Sequence, residues 1–211
     1  NLDELADDIT FIHGDIADVD VVDAAMQGCN AVVNFAAESH VDRSLIDSRP
    51  FIHTNVEGVQ VLLDAAMRHD IDRFLHISTD EVYGDLAPTA PSSVESDRFD
   101  PRSPYAASKA AAEHLVQAAN YSHGLNTVMT RGSNPYGPRQ YPEKIIPLFV
   151  TNTLEGRPMP IYGDGPAVRD YMHVDDHCRG IDLVLQKGQA GGVYNLGARM
   201  EITAKAVAEL V

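Results

Sequence analysis

Apolar positions along the chain follow two alternating rhythms. Short, nearly continuous runs, "NAVVNFAA" (30–37), "RFLHIS" (73–78) and "LNTVMTRG" (125–132), predict strands covered on both faces, as in a parallel sheet. "ITFIHGD" (9–15) predicts another. Between these runs the apolar residues fall at helical spacing. "VDVVDAAMQG" (19–28) predicts a short helix closed by Gly28. Ile52, Val56, Val59, Leu63 and Ala66 predict a helix over 51–69, and a second long helix is predicted over 104–121. Strand and helix alternating through residues 9–132 predict the α/β class, a doubly wound parallel sheet. After Gly132 the rhythm breaks. "SNPYGPRQYPEK" and "EGRPMPIYGDGPAVRDY" are rich in Pro, Gly and Tyr and predict loops with defined turns, the usual material of a small subdomain or lid.

Composition narrows the function classes. The 211 residues are long enough to bury a substantial core, and 44% hydrophobic content is that of a globular protein. A formal charge of −15 argues against nucleic acid or any other polyanion as a partner. Bound phosphate would need locally placed Arg or Lys and helix N-termini. Cys29 and Cys178 are too few and too distant for a disulfide framework and are expected to be reduced, buried thiols of an intracellular protein. No run of about 18 apolar residues and no signal core is present, so a cytoplasmic chain with no membrane span is expected. The start at Asn1 without an initiator Met points to a fragment.

"STDEVYGD" (78–85) places a hydroxyl and two adjacent carboxylates, Thr79, Asp80 and Glu81, directly after a predicted strand. Alone, the tripeptide reads most simply as a turn or helix N-cap. The loops that follow successive parallel strands converge on one crevice, however, and "FAAESHVDRS" and the start of the 104–121 helix lead to the same place. On that helix Tyr105 and Lys109 lie one turn apart on one face. An ammonium beside a phenol stabilises phenolate and lowers its pKa from about 10, which makes Tyr a general base toward an alcohol.

With these motifs in place the chain resembles the extended short-chain dehydrogenase/reductase (NAD-dependent epimerase/dehydratase) family. The similarity runs through "GDIAD", "NFAAESHVDRS", "TNVEG", "STDEVYG", "SPYAASKA", "GSNPYGPRQYPEKIIP", "IYGDGPAVRDYMHVDDH" and "VYNLGA", nearly the whole chain. The resemblance implies NAD as cofactor and dehydration of dTDP-glucose to a 4-keto-6-deoxy sugar nucleotide. Thr79 and Tyr105 would bind the C4 oxygen, Tyr105 taking its proton and NAD its hydride, while Lys109 tunes Tyr105 and holds the nicotinamide ribose. Glu81 would be the base for C5 and Asp80, protonated, the acid for the departing C6 hydroxyl. Adjacent carboxylates in a poorly solvated site can separate their pKa values to do this. Simple 4-epimerases of the family typically lack the acid pair, so "TDE" discriminates.

The same resemblance assigns Asp15 and Ile16 to the adenine, and Ala36, Ala37 and Thr54 to the dinucleotide. Ser39 falls near nicotinamide and sugar. Asn134, Lys144, Tyr162, Arg169 and Asn195 match substrate-side positions, with Arg169 matched to the diphosphate, which its planar fork can pair. From the residues alone, a salt bridge of Arg169 to Asp170 or Asp175 is as good a reading. Pro135 stands where these enzymes often have a second Asn, and Tyr171 where Trp is frequent. His173 and His177 have helical metal-ligand spacing, but no third ligand is evident and no metal is expected. Residues 1–135 would form the NAD-binding domain without its first strand–helix–strand, and 136–211 substrate-binding segments with some elements returning to the sheet. The family's glycine-rich fingerprint and ribose-binding acid are absent, so the isolated chain is expected to bind NAD weakly and to expose a sheet edge. A homodimer is implied through a four-helix bundle of the 51–69 and 104–121 helices, whose Ala107, Ala110 and Ala111 allow close approach or simply pack on the sheet. The rival functions are another NDP-sugar epimerase, decarboxylase or dehydratase on this fold, and a catalytically silent NAD-binding protein.

Overall fold

The computed structural model describes residues 2–87 and 89–211. The chain divides into two units, Leu2–Arg131 with Asp182–Asn195, and Gly132–Ile181 with Leu196–Val211.

The first unit is built on a sheet of β1 (Ala31–Asn34), β2 (Arg73–Thr79), β3 (Thr127–Gly132) and β6 (Val193–Leu196), in the order β1-β2-β3-β6. β1 and β2 pair in parallel with Asn34 opposite His76. Helices α4 (Val59–Arg68) and α5 (Pro104–His123) supply the crossovers from β1 to β2 and from β2 to β3, as a parallel, Rossmann-like sheet requires, and α1 (Val19–Met26) packs into the same core. Its core joins Val22 and Met26 of α1, Leu62, Leu63 and Ala66 of α4, Val116 of α5, Phe74 of β2 and Met129 of β3. Asp18 caps α1 by accepting from the Asp20 and Val21 N–H groups, and Gly28 at φ +75° ends the turn beyond it. The guanidinium of Arg73 donates to the Leu185 carbonyl at 2.9 Å, satisfying an orphan acceptor at the end of α7 (Val174–Lys187).

The structure departs from the sequence-based expectations at four places. Residues 9–15 form no strand. Ile9, Phe11 and Ile12 are exposed, and the segment pairs with no strand, leaving β1 as the edge of the sheet among the described residues. The expected 51–69 helix begins at α3 (Arg49–Ile52), widens to a π-helical turn over His53–Gly58 and continues as α4. A Cβ on Gly58 would lie 2.6 Å from Ile16 Cγ1, so glycine lets this turn press on residue 16. "VDRSLI" (41–46), expected as loop, forms helix α2. Both cysteines are free and exposed, contrary to the expected burial; Cys29 follows the Gly28 turn at the end of α1, where no core remains to cover it.

The second unit holds a three-stranded sheet, β4 (Asn134–Tyr136), β5 (Val168–His173) and β7 (Glu201–Thr203), with β4 and β5 parallel and β5 and β7 antiparallel. Phe149 of α6 (Ile145–Leu154), Tyr171 and Val207 of α8 (Ala204–Leu210) form its core. Here the sequence predicted loops, with some elements of 136–211 returning to the sheet. His173 closes β5 and His177 lies in α7, so the pair shares no helix; no group of three or more His, Cys, Asp or Glu among the described residues could hold a metal ion.

Candidate active site

β2 ends at Thr79, and the chain turns at once into a 3₁₀ turn, Asp80–Tyr83. Thr79 caps that turn: its Oγ1 accepts from the Glu81 N–H at 3.2 Å. The same hydroxyl lies 3.4 Å from Asp80 Oδ1 and hydrogen bonds the Tyr105 side chain. The turn is held from beneath by Val82 and Tyr83, buried against Ala110 of α5 and Phe99. Gly84, at φ +80°, passes so close to Asp100 that a Cβ would lie 2.2 Å from its carbonyl oxygen, a second reason for the "YG" that ends the motif.

Tyr105 reaches the same place from the first turn of α5, where Pro104 stands at the N-terminus and the Ser103 hydroxyl accepts from the Ala106 N–H. The Phe51 ring meets Tyr105 edge-on at 6.4 Å. Burial and the charges of Glu81 and Asp80 push the Tyr105 phenol above its ordinary range, against the Thr79 hydrogen bond that pulls it down. This reverses the expected lowering by Lys109. Burial dominates, and Lys109 is engaged elsewhere: its Nζ donates to the Ile77 carbonyl at 2.6 Å and lies 3.4 Å from His76 Nε2. Buried in this way, Lys109 is itself lowered to about 8, Glu113 opposing the shift.

A second layer fixes these elements. Arg131 of β3 forms a fully buried pair with Glu113 of α5 through Nε and Nη2, and its Nη1 donates to the Tyr83 hydroxyl at 2.6 Å and to the Glu95 carbonyl at 3.0 Å. Tyr83 passes its own hydrogen to Asn195 Oδ1 at 2.7 Å. Asn195 Nδ2 donates to the Ser93 carbonyl, so its amide, matched by sequence to a substrate position, is spent within the fold at both ends. Asn55, in the π-helical turn and fully buried, clamps the loop after β1: Oδ1 accepts from the Glu38 N–H, and Nδ2 donates to the Glu38 carbonyl and to Ser108 Oγ on α5. Neither Asn55, Arg131 nor Tyr83 was singled out from sequence, because each acts through partners distant along the chain. The buried polar side chain in a strand or helix was the one available signal.

The remaining candidates fall into two groups. In the first unit, Asp15 accepts from the Ala17 N–H and pairs with His53 at 2.9 Å, which holds its carboxyl below the usual range and raises His53 in return. Ile16 packs at the edge of the core, Ala36, Ala37 and Ser39 lie in the loop after β1, and Thr54 lies in the π-helical turn. In the second unit, Asn134 starts β4 and donates to the Asp170 carbonyl at 3.4 Å, Lys144 is the N-cap of α6, and Tyr162 is exposed in the loop before β5. Arg169 is exposed on β5 and donates to the Val168 carbonyl. Asp170, its weighed salt-bridge partner, instead accepts from the Ala198 and Met200 N–H groups.

A sheet whose strand-end loops carry a Tyr–Lys helix and a Thr-acid-acid turn defines a class, and residues 1–197 match the model of the NAD dependent epimerase/dehydratase family. The chain belongs to that family. Among its relatives, a dTDP-glucose 4,6-dehydratase of Actinoplanes sp. is 50% identical over 213 residues, covering 100% of this chain and 66% of the relative. The structure of a dTDP-glucose 4,6-dehydratase from Streptomyces venezuelae with NAD and TYD bound is similar at a TM-score of 0.94 and 46% identity, over 98% of this chain and 65% of that one. A UDP-glucose 4-epimerase of Thermus thermophilus in complex with NAD has the same fold at 30% identity and a TM-score of 0.90, over 96% of this chain and 68% of that one. The chain thus spans less than two thirds of either dehydratase.

Proposed function

We propose that the protein to which this chain belongs is an NAD-dependent hydro-lyase that converts dTDP-glucose to dTDP-4-keto-6-deoxyglucose. One observation carries the reading: the Thr79 hydroxyl that hydrogen bonds the Tyr105 side chain also caps the turn that begins with the two carboxylates Asp80 and Glu81. Removal of water across C5 and C6 needs a base and an acid besides the alcohol-binding pair, and an epimerase has no use for them. The similarity to two dehydratases at 46–50% identity, against 30% for the epimerase, supports the same choice.

In this mechanism the Thr79 hydroxyl orients the C4 oxygen and Tyr105 takes its proton. Tyr105 starts as a weak acid in this environment, so ionisation must be helped by neutralising part of the acid pair; a protonated Asp80 does so and is also the form that can donate to the departing C6 hydroxyl. Glu81, ionised, removes the C5 proton once C4 is a carbonyl and that proton is acidic. Bound NAD supplies the hydride acceptor for C4 and the donor for C6. The residues fit a dinucleotide at the strand ends: Ser78 Oγ is buried there without a hydrogen-bond partner, and Ala36 and Ala37 offer only methyl groups and backbone. Asp15, Ile16, Ala36, Ala37, Ser39 and Thr54 with Tyr105 and Lys109 would hold it, and Ser39, Thr79, Asn134, Lys144, Tyr162 and Arg169 are the substrate-side candidates. The engagement of Asn195 with Tyr83 and Ser93 argues that its contribution is to fix the turn.

We further assign the protein to the cytoplasm and to a homodimer through α4 and α5, where Leu63, Met67, Leu115 and Ala118 line a shallow groove. No helix of the described residues is long and apolar enough to cross a membrane. The test is turnover of dTDP-, UDP- and GDP-glucose by the intact protein with NAD. A 4-keto-6-deoxy product from the dTDP sugar is expected. A 4-epimer, or the 4-keto-6-deoxy product from another nucleotide alone, would overturn the activity or the substrate respectively.

A further inference from the structure

The 3₁₀ turn that carries Asp80 and Glu81 is fastened at both ends, and the two fastenings serve different groups. At its start Thr79 Oγ1 accepts from the Glu81 N–H and hydrogen bonds the Tyr105 side chain. At its end stands Tyr83, a buried residue whose hydrogen bonds can run in one direction only. A guanidinium can only donate, so the Tyr83 hydroxyl accepts from Arg131 Nη1 at 2.6 Å and gives its own hydrogen to Asn195 Oδ1 at 2.7 Å. The Asn195 amide is fixed in that orientation, because its Nδ2 donates to the Ser93 carbonyl at 3.1 Å. Arg131 is held in turn. Its Nε and Nη2 pair with Glu113 of α5, and its guanidinium lies over both the Tyr83 and the Phe99 rings, 4.9 and 4.7 Å from their centroids. The segment 93–100 closes on the same place, through the Glu95 carbonyl on Arg131 Nη1 and through the Asp100 N–H on the Val82 carbonyl.

We propose that Tyr83 is a positioning residue for the elimination half of the reaction, holding the far end of the acid turn on Arg131 and Asn195 so that Asp80 and Glu81 meet C6 and C5 once C4 is oxidised. The proposal deepens the dehydratase reading and rests on it. Oxidation of C4 uses Thr79 and Tyr105, which are placed by the end of β2 and by the first turn of α5. Elimination uses the two residues between the fastenings. Val82, buried in the same turn, sets how deep the turn lies, but an apolar side chain does not fix its rotation. Two hydrogen bonds of defined direction at the Tyr83 hydroxyl do. Burial favours the phenol over the phenolate at Tyr83, which keeps the hydrogen it gives to Asn195. Without that hydroxyl the carboxyl groups can swing about Thr79, while Thr79 and Tyr105 keep their places.

Tyr83→Phe keeps the ring and its packing and removes the hydroxyl alone. In the full-length protein with NAD bound, a single turnover of dTDP-glucose separates the two steps. Absorbance of the reduced nicotinamide reads oxidation, and formation of the 4-keto-6-deoxy sugar reads elimination. The variant should reduce its nicotinamide at a rate within about twofold of wild type, with KM little changed, because the groups that bind and oxidise C4 are untouched. Its elimination should fall about 10–100-fold, the cost of misplacing a reacting group by about 1 Å, so that reduced cofactor accumulates. Asn195→Ala removes the acceptor of the Tyr83 hydrogen and leaves the Arg131–Glu113 pair in place. It should show the same split between steps, and it carries the test if Tyr83→Phe does not fold. Equal slowing of both steps, as a merely structural role would give, would overturn the proposal, and so would undiminished elimination. A wild-type protein that never reduces its NAD on dTDP-glucose, or reduces it and returns a 4-epimer, would sink the dehydratase reading itself.

Discussion

Lys109 is costly to the fold at neutral pH. It is almost completely buried, and its fall from an ordinary 10.5 to about 8 means that the folded state resists its charge. Lys109→Met should therefore abolish turnover yet stabilise the protein, by up to about 3 kcal/mol at pH 7, less whatever the Ile77 carbonyl loses. Urea unfolding of variant and wild type checks this, and a variant less stable than the wild type would contradict it. His76 acts in the other pH range. Its folded-state value is held well below the 6.5 it would have unfolded, so its neutral form contributes stability above about pH 6.5. That contribution is lost as pH falls, because the unfolded chain takes up a proton that the folded one refuses. His177, lowered by burial, adds to the same slope. Replacing His76 by Gln should flatten stability between about pH 6 and 5 by up to about 1.4 kcal/mol per pH unit. At this scale the sequence exposed Thr79, Asp80, Glu81, Tyr105 and Lys109, because they are neighbours along the chain or one helical turn apart. It concealed Asn34 and His76, which become partners only when β1 and β2 pair. It also misdirected the expectation for Tyr105, since spacing says nothing about how deeply a phenol is buried.

The elements that carry these residues are held by polar contacts as much as by apolar ones. Arg131 ties β3 to α5 through Glu113, and to the acid turn through Tyr83. Arg131→Met would strand the Glu113 carboxylate in the interior and should cost about 3–5 kcal/mol, the usual result of removing one partner of a buried pair. Thermal or urea unfolding reads the loss. Glu113→Gln combined with Arg131→Met should recover part of it, since no charge is then left unpaired. The strands at 31–34, 73–79 and 127–132 and the helices at 19–26 and 104–123 were legible because their apolar periods are long and undisturbed. The segment 9–15 has the composition of a strand without a neighbour to pair with. The π-helical turn at His53–Gly58 left the period of the helix readable but not its widening, because that depends on Asn55 reaching Glu38 and on Gly58 meeting Ile16.

The whole molecule is acidic, with 31 Asp and Glu against 16 Lys and Arg. Self-repulsion at that imbalance destabilises the compact state, and salt relieves it by shortening the Debye length from about 30 Å at 0.01 M to about 8 Å at 0.15 M. The Tm should rise over that range of sodium chloride, and a fall would mean that exposed pairs such as Arg49–Asp47 outweigh the net charge. The second unit was the least legible part of the chain. Its short strands, three to six residues each, are separated by Pro- and Gly-containing loops, and their paired residues lie up to 35 apart in β5 and β7 and 37 apart in β4 and β5. For the protein as a whole the central claim is that Glu81 removes a proton from C5 after C4 is oxidised. The direct test is incubation of the intact protein with NAD and dTDP-glucose in deuterated water, followed by NMR of the product. Deuterium at C5 of a 4-keto-6-deoxy sugar, with loss of product in Glu81→Gln, is the predicted result. Product carrying solvent deuterium at C4, or undiminished elimination in Glu81→Gln, would contradict the account.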